Sequence, residues 1–319
     1  MILRIFVAAL AVAAMSQAWA QSYPTKPVRV INPFPAGGPV DVVGRPVLEK
    51  LRAELNESFI MDYRPGAATV IASELVAKAP PDGYTLLFTA SQHAINPAVH
   101  KKLPYDTAKD FAPISPVAQG PFVLVVHPSV TASNVRELIA LAKAQPGKLN
   151  FASAGSGSGF HMAGEMLKTL AGVDIVHVPY KGGAPAATAV LAGEVHMLFA
   201  SPAAVMPQVS AGKLRLLAVT TAQRSPLVPG APSMAEAGVP GYDADTWYGL
   251  FAPVGTPADI VSQLAQRIDR IVKSPEIREL YAKAGLEPAG GTPSEFAARI
   301  ARDMAKWAKV AKETGAKVD

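Results

Sequence analysis

The stretch Asn32-Pro33-Phe34-Pro35-Ala36-Gly37-Gly38-Pro39-Val40-Asp41 sets three prolines and two adjacent glycines between an apolar run, Val28 to Ile31, and a helical pattern. In that pattern Val43, Val47, Leu48, Leu51 and Leu55 recur at spacings of three and four, one face of a helix. Glycine lets the backbone take positive φ and lets a ligand come close, and proline fixes the turn. The helix that follows begins with unpaired N–H groups and the positive end of its dipole. Strand, glycine turn and helix start together make a site for an anionic group. The turn holds no Lys or Arg, so an anion there would be bound through backbone N–H groups, the helix N-terminus and bridging water. Asp41 has no second carboxylate near it in sequence and is expected to cap the helix or orient the turn. Arg45 is expected on the helix and not in the pocket.

A second stretch repeats the device: Asn150-Phe151-Ala152-Ser153-Ala154-Gly155-Ser156-Gly157-Ser158-Gly159 also follows an apolar run. A helical pattern comes next, with Phe160, Ala163, Leu167 and Leu170 on one face. The hydroxyls of Ser153, Ser156 and Ser158 add donors to the backbone of Ala154, Gly155 and Gly157. Each turn alone could be a tight β–α connection. As a pair, at the carboxyl ends of strands, they read as the two sides of a ligand cleft.

The motifs of catalysis are broken. Gly155 and Gly157 begin a G-x-G, but residue 160 is Phe where the dinucleotide fingerprint needs Gly. No Lys-Ser or Lys-Thr closes a phosphate loop, and no serine stands in G-x-S-x-G. His161 and Glu165, four apart on one helix, could share a metal but have no third ligand at useful spacing. His161 is read instead as a donor at the helix start, facing the cleft or a neighbouring turn. No cofactor and no metal are expected.

These turns need strands and helices to place them, and the chain supplies both in alternation, the mark of an α/β protein. Strands are predicted at residues 28–32, 84–88, 122–127, 149–153, 175–179, 195–199, 214–220 and 246–252. Thr256-Pro257-Ala258-Asp259 and Thr292-Pro293-Ser294-Glu295 each read as a capping box with proline at the first helical position. Ser274-Pro275-Glu276 opens another helix, closed by Lys283-Ala284-Gly285. Pro46 implies that the first helix starts near Val42 or kinks there. Phe122 to His127 and Thr246 to Ala252 are the candidate crossing strands.

Residues 1–20 read as a secretory signal peptide: a basic start at Arg4, an apolar run from Ile5 to Met15, and Ala18-Trp19-Ala20 as the cleavage site. The run is too short to anchor a protein in a bilayer. With no cysteine there can be no disulfide, thiol-linked lipid or cysteine nucleophile. An exported, cysteine-free chain fits a soluble periplasmic protein. Removing the leader takes away Arg4 and leaves a formal charge of +4, with Lys and Arg scattered and not interleaved with aromatics. That excludes a nucleic-acid footprint and leaves a mild bias toward anions.

The first turn, with Asp41 and Arg45, resembles the first motif of the Bug-type extracytoplasmic solute receptors, the substrate-binding proteins of tripartite tricarboxylate transporters. Further matches are Pro80-Pro81-Asp82-Gly83-Tyr84-Thr85-Leu86-Leu87, Ala94-Ile95-Asn96-Pro97, Lys102-Leu103-Pro104-Tyr105-Asp106 and His177-Val178-Pro179-Tyr180-Lys181-Gly182. Gly212-Lys213-Leu214-Arg215, Glu236-Ala237-Gly238-Val239-Pro240-Gly241-Tyr242, Trp247-Tyr248-Gly249-Leu250, Ala252-Pro253 and Gly255-Thr256-Pro257 complete the series in order. The resemblance implies an α/β, two-lobed periplasmic binding fold of type II-like form, two sheet domains joined by crossing strands with the ligand cleft between them. Residues 21–122 and 246–319 would form the first domain and 123–245 the second. The ligand would be a small organic carboxylate held between Phe34–Gly38 and the loop Ser153–Ser158, with Ser91 as another pocket residue, and the partner the membrane subunits of the transporter. The receptor itself is expected to be a monomer.

This chain departs from the family pattern at three places. Ala68-Thr69 and Val70-Ile71-Ala72 stand where two glycines and Ile-Gly-Ala are common, which stiffens that loop. Ala200 stands where an aspartate is common after Met197-Leu198-Phe199, removing an acid that could meet a ligand amine or hydroxyl. Pro46 is the third. Two other roles stay open: a sensor component presenting ligand to a signalling receptor, and an exported hydrolase using Ser156 or Ser158 with His161. The leader predicts that mature protein begins at Gln21 and leaves the cell on osmotic shock without detergent; N-terminal sequencing that finds Met1 retained would refute it.

Overall fold

The computed structural model describes residues 23–318, so the leader and its cleavage site lie outside the described residues. The chain opens with β1 (Val28–Asn32) and passes through the first glycine turn into α1 (Pro39–Leu55). There follow β2 (Phe59–Tyr63), a 3-10 turn at Ala67–Thr69, α2 (Val70–Ala77), β3 (Thr85–Ala90) and α3 (Gln92–Val99). Strand β4 (Phe111–Pro121) leads at once to β5 (Val123–Val126), then α4 (Val135–Ala144), β6 (Asn150–Ser153), α5 (Gly159–Ala171) and β7 (Val176–Pro179). Next come α6 (Gly183–Leu191), β8 (Met197–Ala200), α7 (Pro202–Ser210) and β9 (Arg215–Val219). The chain closes with β10 (Asp245–Pro253), α8 (Ala258–Val272), α9 (Pro275–Lys283), β11 (Glu287–Pro288) and α10 (Pro293–Thr314).

Two sheets result, ordered β11-β4-β10-β3-β1-β2 and β7-β6-β8-β5-β9. In the first, β1 is parallel to both β2 and β3, while β10 runs antiparallel between β3 and β4. In the second, β6 is parallel to β7 and β8, and β5 is antiparallel to β8 and β9. Parallel neighbours put their carboxyl ends on one edge, so the turns after β1, β2 and β3 lie side by side in one lobe and those after β6, β7 and β8 in the other. This is the two-lobed α/β fold expected from the sequence.

The lobes join where the chain passes through Phe122 and again through Ala244. Both passages are tied to Thr220, which is fully buried. Its hydroxyl accepts from the Phe122 amide at 2.9 Å and donates to the Ala244 carbonyl. Its own amide donates to the Phe122 carbonyl, and its carbonyl accepts from the Ala244 amide. Helix α10 adds a second tie. Phe296 and Ile300 pack in the core of the first lobe, and the buried Asp303 accepts from Trp247 Nε1 at 2.8 Å. Four residues on, Trp307, and then Val310 and Ala311, pack with Ile95 and Val99 of α3 into the core of the second lobe.

The differences from expectation have local causes. Helix α1 starts at Pro39 and runs through Pro46, earlier than the predicted start at Val42. Strand β4 was not predicted because Pro113 and Pro116 interrupt it. Both sit where the β4–β10 register shifts, at irregularities that tolerate a missing ladder N–H. Strand β2 lies at the sheet edge with only Phe59 buried, so its apolar pattern is faint. Strand β10 stays within the first sheet along its whole length, so the crossings lie beside the predicted strands and not along them. Thr292 and Glu295 form the expected capping box. Thr256 does not: its hydroxyl donates to the Pro253 carbonyl at 2.8 Å, and α8 begins after Pro257 without a side-chain cap. On α5, Leu170 is 41% exposed, and the buried face is instead the run His161–Leu167, because this helix is covered on two sides.

Replacing Thr220 with valine keeps the shape and leaves the Phe122 amide and Ala244 carbonyl buried without partners. Each such group costs about 1–3 kcal/mol, so Thr220→Val is expected to lower stability by at least about 2 kcal/mol in urea unfolding. A loss within about 0.5 kcal/mol, typical of neutral substitutions, would refute the tie.

Candidate functional site

In the first turn the side chains of Asn32 and Asp41 hold the backbone. Asn32 Oδ1 accepts from the Phe34 amide at 2.9 Å, and Asp41 Oδ2 accepts from the Gly37 amide at 2.9 Å. The Gly38 amide reaches the Pro35 carbonyl at 3.3 Å. Asp41 is buried yet ionised. Burial by itself would raise its pKa, but hydrogen bonds from the Tyr63 hydroxyl, the Gly37 amide and Arg45 outweigh that and hold it below the ordinary carboxylate value. Arg45 does lie on the helix, with Nη2 3.1 Å from both Asp41 oxygens and 2.6 Å from the Tyr63 hydroxyl. Asp41 thus orients the turn. Gly37, at φ +77°, needs to be glycine; Gly38, at φ −74°, does not, although a Cβ there would stand 3.1 Å from the Pro35 oxygen.

Prolines 33, 35 and 39 carry no amide hydrogen, and Phe34, Gly37 and Gly38 already donate within the turn. Ala36, which is exposed, keeps its amide without an acceptor among the described residues. The Nδ2 group of Asn32 is buried and also without a partner. Buried donors of this kind are rare and mark a place where water or a ligand oxygen is accepted.

The second turn is held at both ends. Ser153 Oγ accepts from the Gly155 amide at 3.1 Å and lies 2.6 Å from His177 Nε2. The Gly157 amide donates to His161 Nδ1 at 3.0 Å, and Ser158, the N-cap of α5, accepts from the His161 amide at 3.3 Å. Gly155 and Gly157 have φ of +123° and +74°. Between them Ser156 is half-buried, and neither its amide nor its hydroxyl bonds the protein among the described residues. His161 is 5% exposed and turns its other nitrogen toward Glu165, 3.5 Å away. Neither Ser156 nor Ser158 presents its hydroxyl to the His161 ring, so the arrangement offers no serine–histidine nucleophile at those positions. No group of three His, Asp or Glu side chains that could hold a metal occurs among the described residues.

Across the lobes, Gln92 Nε2 donates to the Gly157 carbonyl at 2.7 Å and to Asn96 Oδ1 at 2.8 Å. Asn96 Nδ2 in turn donates to the Ala68 carbonyl and to Thr69 Oγ1, each at 3.0 Å. This chain of amides joins the loop after β2, the start of α3 and the second glycine turn. No hydrogen bond joins residues 33–38 to 153–158 among the described residues. Ser91 stands at the N-cap of α3, buried, with its hydroxyl 3.3 Å from Thr246 Oγ1 on β10. Ala200 ends β8 opposite Val123, packed in the apolar cluster of Leu198 and Val205, and brings no polar group to the turn. The sequence reading passed over Tyr63, Gln92, Asn96 and His177. Asn96 and His177 stood within quoted motifs, but nothing in their spacing told what they would hold.

A two-lobed α/β fold with glycine turns at the carboxyl ends of parallel strands on both sides is the architecture of a periplasmic binding protein. Residues 43–316 match the tripartite tricarboxylate transporter family receptor, and the chain belongs to that family. It is 35% identical to protein BugT of Bordetella pertussis over 319 residues, covering 99% of this chain and 97% of that one. Among solved structures it is similar to R. palustris Rpa4515 with adipate, with 37% identity, a TM-score of 0.83, and coverage of 92% of this chain and 99% of that one. It is also similar to MatC from Rhodopseudomonas palustris with bound malate, with 29% identity, a TM-score of 0.79, and coverage of 90% and 99%.

The loop after β2 shows what its non-glycine residues do. Ala67, Ala68 and Thr69 have φ of +45°, +48° and +78°, a left-handed run without glycine. Such a conformation costs roughly 1–2 kcal/mol per residue, and Asn96 holds the end of the run in place. Ala68→Gly is therefore expected to raise stability by up to about 1 kcal/mol, the relief being partly offset by glycine's greater freedom in the unfolded chain. Urea unfolding of the two forms decides it: a loss of stability would show that the loop is not strained at Ala68.

Proposed function

We propose that this chain is a periplasmic solute receptor that captures a small organic carboxylate between its lobes and delivers it to a tripartite tricarboxylate-type membrane transporter. The observation that carries the reading is the pair of glycine turns, one on each sheet, with donors left over at Ala36, the Asn32 side chain and Ser156. Neither turn contains a Lys or Arg. The ligands of the two similar structures, adipate and malate, are both dicarboxylates and fit this reading. One carboxylate would lie against residues 34–38 with bridging water, and the opposing lobe would supply the loop from Ser153 to Ser158. The departures at Ala68-Thr69 and Val70-Ile71-Ala72 and the apolar Ala200 bear on which carboxylate is taken.

On this reading no step of catalysis is needed. Ser153 and His177 do form a close hydroxyl–imidazole pair, but Ser153 is fully buried and bonded to both polar groups of Gly155. A nucleophile must instead be reachable by the substrate.

The test is a thermal-shift panel on the mature chain, comparing dicarboxylates with their uncharged diamides. A ligand at a hundred times its Kd stabilises by about 2.7 kcal/mol, so adipate, malate or a near analogue is expected to raise Tm by several degrees while its diamide does not. Gly37→Val, strained at its positive φ, is expected to weaken binding at least tenfold, the loss of one charge-assisted bond of about 1.5–3 kcal/mol. No response to any small carboxylate would overturn the reading.

A further inference from the structure

We propose that His161 and His177, backed by Glu165 and Lys168, are positioning residues that hold the second glycine turn in its ligand-ready shape. His161 does this as the neutral tautomer with its proton on Nε2. The inference rests on the reading of that turn as one wall of the cleft, and it concerns groups that do not themselves reach the ligand.

The two rings act on the two ends of the turn. His177 Nε2 meets Ser153 Oγ at 2.6 Å, and that oxygen in turn accepts the Gly155 amide. His161 Nδ1 accepts the Gly157 amide at 3.0 Å. The rings stack on each other with centroids 3.8 Å apart and planes inclined by 24°, and the His177 ring lies 5.0 Å from that of Phe151. The imidazole pair is thus one rigid plate to which both ends of the turn are fastened. The Gly157 peptide is fixed on its other side as well, by Gln92 donating to its carbonyl. Ser156 lies between the fastened glycines. Its amide and hydroxyl are the donors whose direction the plate sets, and a donor set beforehand binds without a further ordering cost.

Glu165 decides the tautomer. The residue is 2% exposed, and its carboxylate stands 3.5 Å from His161 Nε2 and 3.0 Å from Lys168 Nζ. An acceptor facing Nε2 favours the proton there and leaves Nδ1 bare for the Gly157 amide. A proton on Nδ1 would set two donors against each other and release the turn. Burial would raise the Glu165 pKa, but its bonds to His161 and Lys168 outweigh that and keep it low, so the acceptor is present as an anion. His177 is held neutral, its pKa pushed down to about 3 chiefly by burial.

Two substitutions separate positioning from simple packing. His161→Phe keeps a ring on the stack and removes both nitrogens. His161→Asn removes the ring and places an amide oxygen about where Nδ1 stands. On ligand-free protein, the Gly157 amide should exchange with solvent at least tenfold faster in His161→Phe, and close to the wild-type rate in His161→Asn. The nitrogen spectrum of wild-type His161 should show a protonated Nε2 and an unprotonated acceptor at Nδ1. With adipate or malate as the probe, His161→Phe should bind at least tenfold more weakly and His161→Asn within about threefold of wild type. A protonated Nδ1 in the wild type, or equal Gly157 exchange in the two variants, would overturn the proposal even if neither variant binds. If wild-type protein takes up no small carboxylate at all, the carboxylate reading falls, while the tautomer and exchange results still judge the positioning on their own.

Discussion

A backbone amide can be offered to a ligand only if the amides around it are already satisfied, and that constraint shapes both glycine turns. In the first, three prolines remove amides outright, and Asn32, Pro35 and Asp41 accept from three others. In the second, Ser153 and His161 accept from Gly155 and Gly157. Among the described residues the amides left without an acceptor include Ala36 in the first turn and Ala154 and Ser156 in the second. The side chains that do this work are buried: Asp41, His161 and Ser153 are each at most 6% exposed. A buried acceptor must itself be supported. Asp41 therefore calls for Tyr63 on β2 and Arg45 one helical turn away, and His161 for Glu165 and Lys168. The turn at the surface is thus the visible end of a polar structure that reaches into each lobe.

The same logic governs how the lobes meet. Each sheet is complete without the other, since the first takes its strands from residues 28–121 and 245–288 and the second from 123–219. The two passages between them are short, and Thr220 binds both with four hydrogen bonds to Phe122 and Ala244. A few residues at the ends of strands can absorb a rotation without disturbing either sheet. Helix α10 limits what that rotation can be. Its first half belongs to the core around Trp247 and its second half to the core around Phe151, so the helix ties both lobes together. Val318 extends this tie, with its amide on the Val99 carbonyl.

Much of this was legible in the sequence because it rests on local chemistry. Val28–Asn32 was predicted to the residue, since a short run rich in Val and Ile bounded by a proline on each side reads as a strand. The capping box at Thr292 and Glu295 and the role of Asp41 followed likewise from residues within a turn of one another. Strand β4 was not legible. Its prolines argue against a strand, and only the bulges that β10 imposes make room for them. Nor could Tyr63 or Gln92 be found, because each acts on a turn far away in sequence: Tyr63 on Asp41, Gln92 on Gly157. His161 was expected to face the cleft or a neighbouring turn. The structure gives the second, with both ring nitrogens directed into the protein. Spacing along a helix tells which residues share a face, and not which way a ring is turned.

A receptor that has to let its ligand go gains from holding it this way. An arginine or lysine in the pocket would bring a full charge that attracts a carboxylate in the open form as well as the closed one. Amide and hydroxyl donors are different. Their attraction for an anion is modest in water and grows as closure lowers the local dielectric. On the proposed reading, affinity then belongs to the closed state, and opening the lobes is by itself enough to weaken it. The mild positive charge of the chain is spread over the surface, where salt screens it beyond about 10 Å. It can favour the approach of anions without fixing one in place. What the pocket requires in exchange is rigidity, because a weak donor that points the wrong way contributes nothing. That requirement accounts for the prolines of the first turn, for the left-handed run pinned by Asn96 beside it, and for the stacked imidazoles behind the second.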